Sequence, residues 1–173
     1  MIIRKAELKD IPAVVVIYDA IFAEEEAGRA TVGWIRGVYP TEATARAALA
    51  EGCLYVMEDA GEIVASARIN KHQEGSYSEA DWLYEAAPDE VMVLHTLTVD
   101  PSKKGRGYGT SFEKFYEETG RENGCRVLRM DTNERNKAAR RLYAGLGFRE
   151  AGIVPCSFNG IGGVNLVCLE KKL

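Results

Sequence analysis

The sequence predicts a mixed α/β domain, and three observations lead to that prediction. The chain has 173 residues, of which 46% are hydrophobic and 28% are charged, a balance that suits one core. Apolar residues alternate from Val91 to Val99 as in a strand, and a helical pattern follows closely. A second apolar strand at residues 125–130 completes a β-α-β unit with parallel strands. We therefore expect a single domain over residues 1–173.

The two ends of the chain predict sheet strands. Residues 2–8 are predicted to form the first strand, and Asp10 can cap the helix that follows it. Residues 155–163 are predicted to be a glycine-rich loop, and residues 164–169 the last strand.

The first helix has an apolar stripe made of Ile11, Val14, Val15, Tyr18, Ile21 and Phe22.

A connection, a second helix and a strand pair come next. Residues 31–40 contain two aromatic side chains and little periodicity, which predicts a loop. Thr41 can cap a second helix, which is expected to end at Gly52. Residues 53–58 and 62–70 then predict an antiparallel pair joined by a short turn.

The segment between Lys71 and Val91 contains no lysine or arginine. A polar surface loop is its simplest interpretation. Aromatic side chains among carboxylates can also hold an organic cation, and the segment leads directly into the strand that begins at Val91. The carboxylates are Glu74, Glu79, Asp81, Glu85, Asp89 and Glu90, and the aromatic residues are Tyr77, Trp82 and Tyr84.

The stretch after Val99 predicts an anion site. Basic residues alternate with glycines from Lys103 to Gly109, and a helix begins there and is expected to stop at Gly124. Glycines let a backbone come close to a ligand, and a helix start offers unpaired N–H groups. Together these features suit a phosphate or pyrophosphate group.

Two familiar phosphate-binding motifs fit this stretch poorly. A P-loop would end in Gly-Lys-Ser/Thr, whereas Lys104 precedes the glycines. In a dinucleotide-binding unit Asp131 would be the ribose-binding acid, but Thr110 occupies the position of the third glycine.

Two ordered motifs resemble those of the GNAT superfamily of N-acetyltransferases. Residues 99–109, V-D-P-S-K-K-G-R-G-Y-G, resemble the family's loop V-x-P-x-x-R-G-x-G-x-G, with Lys104 in place of the usual arginine or glutamine. Residues 136–143, N-K-A-A-R-R-L-Y, and residues 146–148, L-G-F, resemble its second signature. The resemblance covers most of the chain and is weakest at residues 34–39 and 71–90.

The resemblance implies a fold and a cosubstrate. The fold is a central, mostly antiparallel sheet flanked by helices, in which a splayed parallel pair admits acetyl-CoA. Main-chain groups from Leu97 to Val99 would pair with the pantetheine, the N–H of Leu97 would be the oxyanion donor, and Tyr143 would protonate the departing thiolate. The residues implied to bind acetyl-CoA are Leu97, Thr98, Val99, Lys103, Lys104, Gly105, Arg106, Gly107, Tyr108, Gly109, Thr110, Asn136, Arg140 and Tyr143.

His95 is the leading candidate for a catalytic base. An ammonium group must lose a proton before its nitrogen can attack a thioester. Strand alternation places His95 on one face with Leu97 and Val99, and histidine titrates near neutral pH. The sequence H-x-L-x-V also resembles arylalkylamine acetyltransferases, in which the histidine belongs to a proton path. Glu85, Glu90 and a water relay are the alternatives, as is a histidine that only packs.

The acceptor is predicted to be a primary amine on a small cationic molecule. Direct transfer is expected, because no cysteine and histidine form a recognisable nucleophile pattern. The alternatives are an acetyl-CoA-binding or regulatory module without turnover, and an enzyme that acts on a protein N-terminus or lysine. Substrate contacts are expected from Trp34, Tyr39, Trp82 and Glu85.

Charge and composition set the remaining expectations. A formal net charge of −4 argues against a nucleic-acid partner. No stretch is apolar enough to span a membrane, and the N-terminus lacks the apolar region of a signal peptide, which predicts a cytoplasmic protein. The four cysteines are predicted to be reduced core thiols, no metal is expected, and a homodimer is left open.

Overall fold

The computed structural model describes residues 1–173 and contains one seven-stranded sheet in the order β1-β2-β3-β4-β5-β7-β6. Neighbouring strands are antiparallel, except that β4 and β5 are parallel. This arrangement confirms the predicted fold class. The strands are β1 (Ile2–Lys5), β2 (Leu54–Asp59), β3 (Glu62–Asn70), β4 (Val91–Val99), β5 (Val127–Asn133), β6 (Arg149–Phe158) and β7 (Ile161–Lys172).

Four α-helices flank the sheet, and one of their two predicted caps is confirmed. Thr41 caps α2, since its hydroxyl accepts the N–H of Thr44 at 3.2 Å. Asp10 precedes α1 but its side chain makes no cap bond to it, so that prediction is wrong. The Asp10 carboxylate instead accepts two bonds from the Arg4 guanidinium, at 2.7 and 3.1 Å. The helices are α1 (Ile11–Glu26), α2 (Glu42–Ala50), α3 (Tyr108–Glu122) and α4 (Lys137–Gly145).

Alternation of side chains along the strands gives the sheet two separate apolar faces. Helices α3 and α4 cover one of them, the α3/α4 face, where they pack on Met92, Leu94 and Leu128. The other, the α1/α2 face, is covered by α1 and α2 over β2 and by residues 71–90 over β4, β5 and β7. No helix is both long enough and apolar enough to cross a membrane.

Residues 71–90 are attached to the sheet through the buried Tyr77, so the interpretation as a polar surface loop holds only for the exposed part of the segment. Tyr77 is 2% exposed and belongs to a core cluster with residues of β4, β5 and β7. The carboxylate of the buried Glu170 on β7 accepts the backbone N–H groups of Leu83 and Tyr84, at 2.8 and 3.2 Å. Backbone groups packed against a sheet need such partners, and this one side chain fixes residues 83 and 84 to β7.

The last two strands form a hairpin, and the loop predicted at residues 155–163 is wrong except at its tip. Strand β6 runs to Phe158, and β7 begins at Ile161. Asn159 and Gly160 between them have φ values of 51° and 79°. Asn-Gly is the residue pair that a two-residue turn with positive φ favours, so the signal for a hairpin was present in the sequence.

Strand β4 contains a bulge that overturns one prediction. The pairing with β3 shifts so that Ala67 lies opposite both Thr96 and Leu97. Thr96 has a φ of 53°, and the extra residue reverses the alternation beyond it. Leu97 and Val99 therefore pack on the α3/α4 face, whereas His95 points to the α1/α2 face. The predicted common face for His95, Leu97 and Val99 is wrong.

The parallel pair separates in the middle of the sheet. The last paired residues of β4 and β5 are Leu94 and Met130. Beyond them β4 continues beside β3 as far as Val99, and β5 continues beside β7 as far as Asn133. The two strands thus part next to Thr96, and the sheet opens there from one face to the other.

Candidate active site

A cleft of about 350 Å³ lies where β4 and β5 separate. Its walls come from β4, the end of β5, the start of α4, the α1–α2 connection and the tip of the β6–β7 hairpin. The cleft brings together nine of the residues that the sequence predicted for the site: Trp34, Tyr39, His95, Leu97, Val99, Lys104, Gly109, Asn136 and Tyr143.

The glycine-rich loop lies at the cleft mouth and leads into α3. Gly107 is the residue before the first turn of α3 and has a φ of 78°, a conformation that favours glycine. Asp100 fixes the start of the loop by accepting the N–H of Ser102 at 2.9 Å. The loop therefore presents the N-terminal end of a fifteen-residue helix, which suits an anion, beside Gly109 in the cleft wall.

Several predicted acetyl-CoA contacts are engaged elsewhere in the structure. Lys103 forms an ion pair with Glu62, and the Tyr108 hydroxyl donates to Asp59 at 2.6 Å. The Thr98 hydroxyl shares a hydrogen bond of 2.7 Å with Ser66 inside the sheet. The predicted acetyl-CoA contacts that do not line the cleft are Thr98, Lys103, Gly105, Arg106, Gly107, Tyr108, Thr110 and Arg140.

The second motif divides into a cap, an ion pair and a cleft residue. Asn136 caps α4, because its side-chain oxygen accepts the N–H of Ala139 at 3.2 Å. Arg140 holds Glu150 on β6 through two bonds of 2.7 and 2.8 Å, so its guanidinium is turned away from the cleft. Of the three residues of this motif that were predicted to bind acetyl-CoA, Asn136, Arg140 and Tyr143, only Asn136 and Tyr143 line the cleft.

Tyr143 is buried and its hydroxyl has no hydrogen-bond partner in the protein. The residue is 7% exposed, and its ring packs edge-on against Phe148 with 6.1 Å between centroids. Burial raises the pKa of the phenol well above its ordinary value, and the negative charges of Glu113 and Asp131 act in the same direction. The phenol therefore keeps its proton at neutral pH and can donate it to an atom in the cleft.

His95 is held through both of its ring nitrogens. Nε2 lies 3.1 Å from Oδ1 of Asn70, and Nδ1 lies 3.3 Å from Oε1 of Glu74. The Asn70 oxygen also accepts the backbone N–H of His72, which fixes the orientation of that amide. Both ring nitrogens therefore face oxygen atoms of neighbouring side chains. The hydrogen bond to His95 lowers the pKa of Glu74.

Asp131 is a cleft residue that the sequence did not predict, since it was considered only as a ribose-binding acid. It lies one position beyond the last parallel pair and is half-buried. The Tyr77 hydroxyl donates to its Oδ2 at 2.7 Å. Burial raises the pKa of its carboxyl to about 6. A polar residue at the end of an apolar strand was the available signal.

The aromatic residues of the α1–α2 connection line the same cleft. The rings of Trp34 and Tyr39 meet edge to face, with 6.1 Å between centroids. The Tyr39 hydroxyl is hydrogen-bonded to the hydroxyl of Thr96, the residue of the bulge. Burial raises the Tyr39 pKa to about 12. These two side chains are therefore within reach of an acceptor molecule.

The two substrate contacts predicted from residues 71–90 do not line the cleft. The Trp82 ring lies under the Arg129 guanidinium, with 4.2 Å to its centroid, and its N–H donates to the carbonyl of Tyr77 at 2.7 Å. Glu85 is also outside the cleft-lining set. Glu90, one of the alternative bases, pairs with Arg126 at 2.9 Å and lies outside the cleft too.

Solved structures of acetyltransferases share this fold. An acetyltransferase of Streptococcus agalactiae has a TM-score of 0.81 and 21% identity, covering 99% of this chain and 95% of that chain. The ribosomal-protein-alanine N-acetyltransferase of Brucella melitensis has a TM-score of 0.73, 22% identity and full coverage of both chains at 100%. The Salmonella typhimurium protein yncA, solved with its cofactor acetyl-CoA, has a TM-score of 0.70 and 20% identity, covering 99% and 93%. The chain thus has the fold of these acetyltransferases.

The family follows from the sequence match. Residues 18–148 match the model of the acetyltransferase (GNAT) family. The chain belongs to that family, whose members are acyltransferases. An uncharacterized N-acetyltransferase of Methanocaldococcus jannaschii is 32% identical over 76 residues, which are 44% of this chain and 34% of that protein. The matched stretch therefore spans about a third of that relative's length.

Proposed function

We propose that the protein transfers an acetyl group from acetyl-CoA to a primary amine of a small cationic molecule. The observation that carries this proposal is the Tyr143 hydroxyl, which has no partner in the protein and lies in the wall of the cleft between the parted strands. A buried phenol that keeps its proton suits a departing thiolate, because the thiolate needs a proton as its bond to the acetyl carbon breaks.

The residues at the cleft mouth suit the CoA portion. The α3 N-terminus offers backbone donors to the pyrophosphate, and a Cβ built on Gly105 or Gly107 meets no atom within 4 Å, which leaves room for a ligand. Lys104 is exposed, and its ammonium lies 3.6 Å from Glu24 in a loose pair that a phosphate could replace. Main-chain groups of β4 beyond Leu94 have no partner on β5 and are available to the pantetheine amides.

Direct attack by the amine is favoured over a covalent enzyme intermediate. No cysteine is among the residues that line the cleft, and burial raises the thiol pKa of Cys53, Cys125 and Cys168. The proton of the amine must then go to a group on the α1/α2 face, where His95 lies in front of Glu74 and Asp131 lies beside the strand split.

The preference for a cation is supported by two carboxylates on the α1/α2 face rather than by residues 71–90 as a whole. Glu74 and Asp131 place negative charge around the split, and opposite charge attracts an ammonium group. The aromatic side chain of Trp82 gives no such support, because Arg129 already occupies one face of its ring.

A screen for thiol release tests the proposal. The protein is incubated with acetyl-CoA and, in turn, polyamines, aryl amines, amino acids, aminoglycosides and peptide N-termini, and free CoA thiol is measured. We expect release with a small cationic amine above the rate without acceptor. Release only with peptides would identify a protein acceptor instead, and CoA binding without release for any amine would identify a binding module.

A further inference from the structure

The carboxylate of Asp131 faces the point where the two strands part. Its Cα partner on β7 is Cys168, a member of the core cluster beneath residues 71–90, so its side chain lies on the α1/α2 face with His95. Its last paired neighbour, Met130, points to the opposite face. Asp131 is thus on the face away from α3 and α4 and next to the opening.

One oxygen of Asp131 is fixed and the other is free. Oδ2 accepts the Tyr77 hydroxyl at 2.7 Å, and Tyr77 is itself 2% exposed and rigidly packed. No group of the protein donates a hydrogen bond to Oδ1, and Asp131 lines the cleft. The other oxygen of this half-buried carboxylate is open to the cleft and can accept from a donor there, and an ammonium group is the donor that also balances its charge.

His95 is less suited to take the first proton. Its Nε2 and Nδ1 both face oxygen atoms of Asn70 and Glu74, so neither ring nitrogen points into the cleft. A base must lie within hydrogen-bond reach of the proton that it removes, with a lone pair available. His95 is instead a side chain of fixed orientation on the same face as Asp131.

We infer that Asp131 binds the ammonium group of the acceptor and takes its proton. This inference rests on the proposed N-acetyl transfer and names the anchoring and basic residue for it. The substrate class that follows is a primary amine that enters as an ammonium cation, with Oδ1 of Asp131 as its anchor. Residues 71–90 then serve the site through Tyr77, which holds the carboxylate in place.

The transfer balances with the groups that are present. Asp131 removes one proton from the ammonium, and the freed amine attacks the thioester carbon to form the C–N bond. The C–S bond breaks with its electron pair on sulfur, and the sulfur takes the proton of Tyr143. The Tyr143 phenolate then takes the second surplus proton from the nitrogen. The products are the acetamide, the CoA thiol and a protonated Asp131, which loses its proton to solvent.

The charges around Asp131 predict the acidic limb of the pH profile, which is the range in which kcat/KM falls as the pH is lowered. Burial raises its pKa to about 6, while Tyr77 and His95 lower it and Glu74 raises it. A base must be unprotonated, so kcat/KM should fall as the pH falls below that value. The titratable groups around it are Tyr77 and Glu74 from residues 71–90, His95 on β4, Cys156 on β6, Cys168 on β7, Tyr143 on α4 and Tyr39 from the α1–α2 connection.

The experiment compares four variants by thiol release with putrescine, tyramine and glutamate over a range of pH. Asp131→Asn should lower kcat/KM for the best of these acceptors by about a hundredfold or more, and the loss should shrink as the pH approaches the pKa of the amine. Tyr77→Phe should move the acidic limb to higher pH, since the lost hydrogen bond stabilised the carboxylate. His95→Gln should keep an acidic limb, moved to higher pH, because His95 also lowers the pKa of Asp131. Asp89→Asn, an exposed carboxylate of the same segment, is the matched control and should behave as the wild type.

Calorimetry with CoA separates the possible failures. Each variant should bind CoA with the affinity of the wild type, which shows that it is folded, and the CoA complex of Asp131→Asn should lose its affinity for tyramine. A fully active Asp131→Asn, or an acidic limb that disappears in His95→Gln instead, would overturn the inference and leave the proposed function intact. A wild-type protein that releases no thiol with any amine would overturn the proposed function, and tyramine binding would then decide whether the Asp131 anchor exists.

Discussion

At the scale of single residues, the site depends on side chains that are buried but not fully satisfied. Of the five buried tyrosines, Tyr77, Tyr108 and Tyr116 each donate to an oxygen, whereas Tyr18 and Tyr143 do not, and of these two only Tyr143 lines the cleft. Buried polar groups normally have partners, so a free hydroxyl facing a cleft indicates a partner that arrives with the ligand.

Tyr143→Phe should lower kcat by roughly ten- to a thousandfold and leave acetyl-CoA affinity nearly unchanged. The reason is that the hydroxyl makes no hydrogen bond within the protein, so its removal leaves the packing of the ring against Phe148 intact. Steady-state thiol release gives kcat, and calorimetric titration with CoA gives the affinity. Equal kcat values for the two proteins would exclude an acid role for Tyr143.

Single residues were also where sequence reasoning succeeded and failed most clearly. Tyr143 and Gly109 could be predicted because motif spacing along one helix or loop is local information. Asp131 could not, because its role depends on Tyr77, which is 54 residues away along the chain and meets it only in the folded protein. The engagement of Arg140 by Glu150 is likewise a tertiary contact that helical spacing cannot show.

At the scale of elements, the β4-loop-α3 unit forms the mouth of the cleft, where we propose that the phosphate groups of CoA bind. Gly107 joins the loop to the helix with a φ of 78°, and a Cβ there would meet no atom within 4 Å. Asparagine and aspartate both tolerate this backbone conformation better than other residues with a Cβ. They have the same shape, so the pair separates the effect of charge from that of geometry.

Gly107→Asp should weaken CoA binding by about tenfold or more relative to Gly107→Asn, because only the aspartate brings a negative charge to the helix N-terminus where phosphate is expected. Calorimetric titration with CoA at low and high salt measures the difference, which should narrow as salt rises. Similar affinities for the two variants at low salt would remove the loop from the phosphate site.

The elements differ in how far the sequence predicted them. The strand at Val91–Val99 and the helix after it follow from periodicity, and both are confirmed. The bulge at Thr96 could not be predicted, because a positive φ at a threonine is imposed by pairing with β3 rather than by local preference. That single inserted residue places Leu97 and Val99 on the opposite side of the sheet from His95.

At the scale of the whole molecule, one buried carboxyl group makes the free energy of unfolding depend on pH. Glu113 on α3 is fully buried, and neither of its carboxylate oxygens has a hydrogen-bond partner. Burial, with a smaller effect from Glu117, raises its pKa to about 8. The folded protein then holds a proton that the unfolded chain releases, so the free energy of unfolding decreases as the pH rises towards 8.

Glu113→Gln should remove this dependence. From about pH 5 to about pH 8 the wild type should lose stability relative to the variant by up to ~1.4 kcal/mol per pH unit. Urea unfolding at several pH values measures the difference. Glu118→Gln, an exposed position on the same helix, is the control and should follow the wild type. Parallel curves for wild type and Glu113→Gln would show that Glu113 does not titrate in this range.

The separation of β4 from β5 has a consequence for how such a protein can change its acceptor. Apart from the glycine-rich loop, the α3/α4 side of the opening belongs to helices and strands, whereas the other side is lined by connections: the α1–α2 loop, Glu74 of residues 71–90 and the hairpin tip at Asn159. Connections tolerate insertions and replacements far better than packed elements do. New acceptors can therefore be acquired by exchanging these three connections while the donor half stays as it is, which makes them the natural targets for redesign.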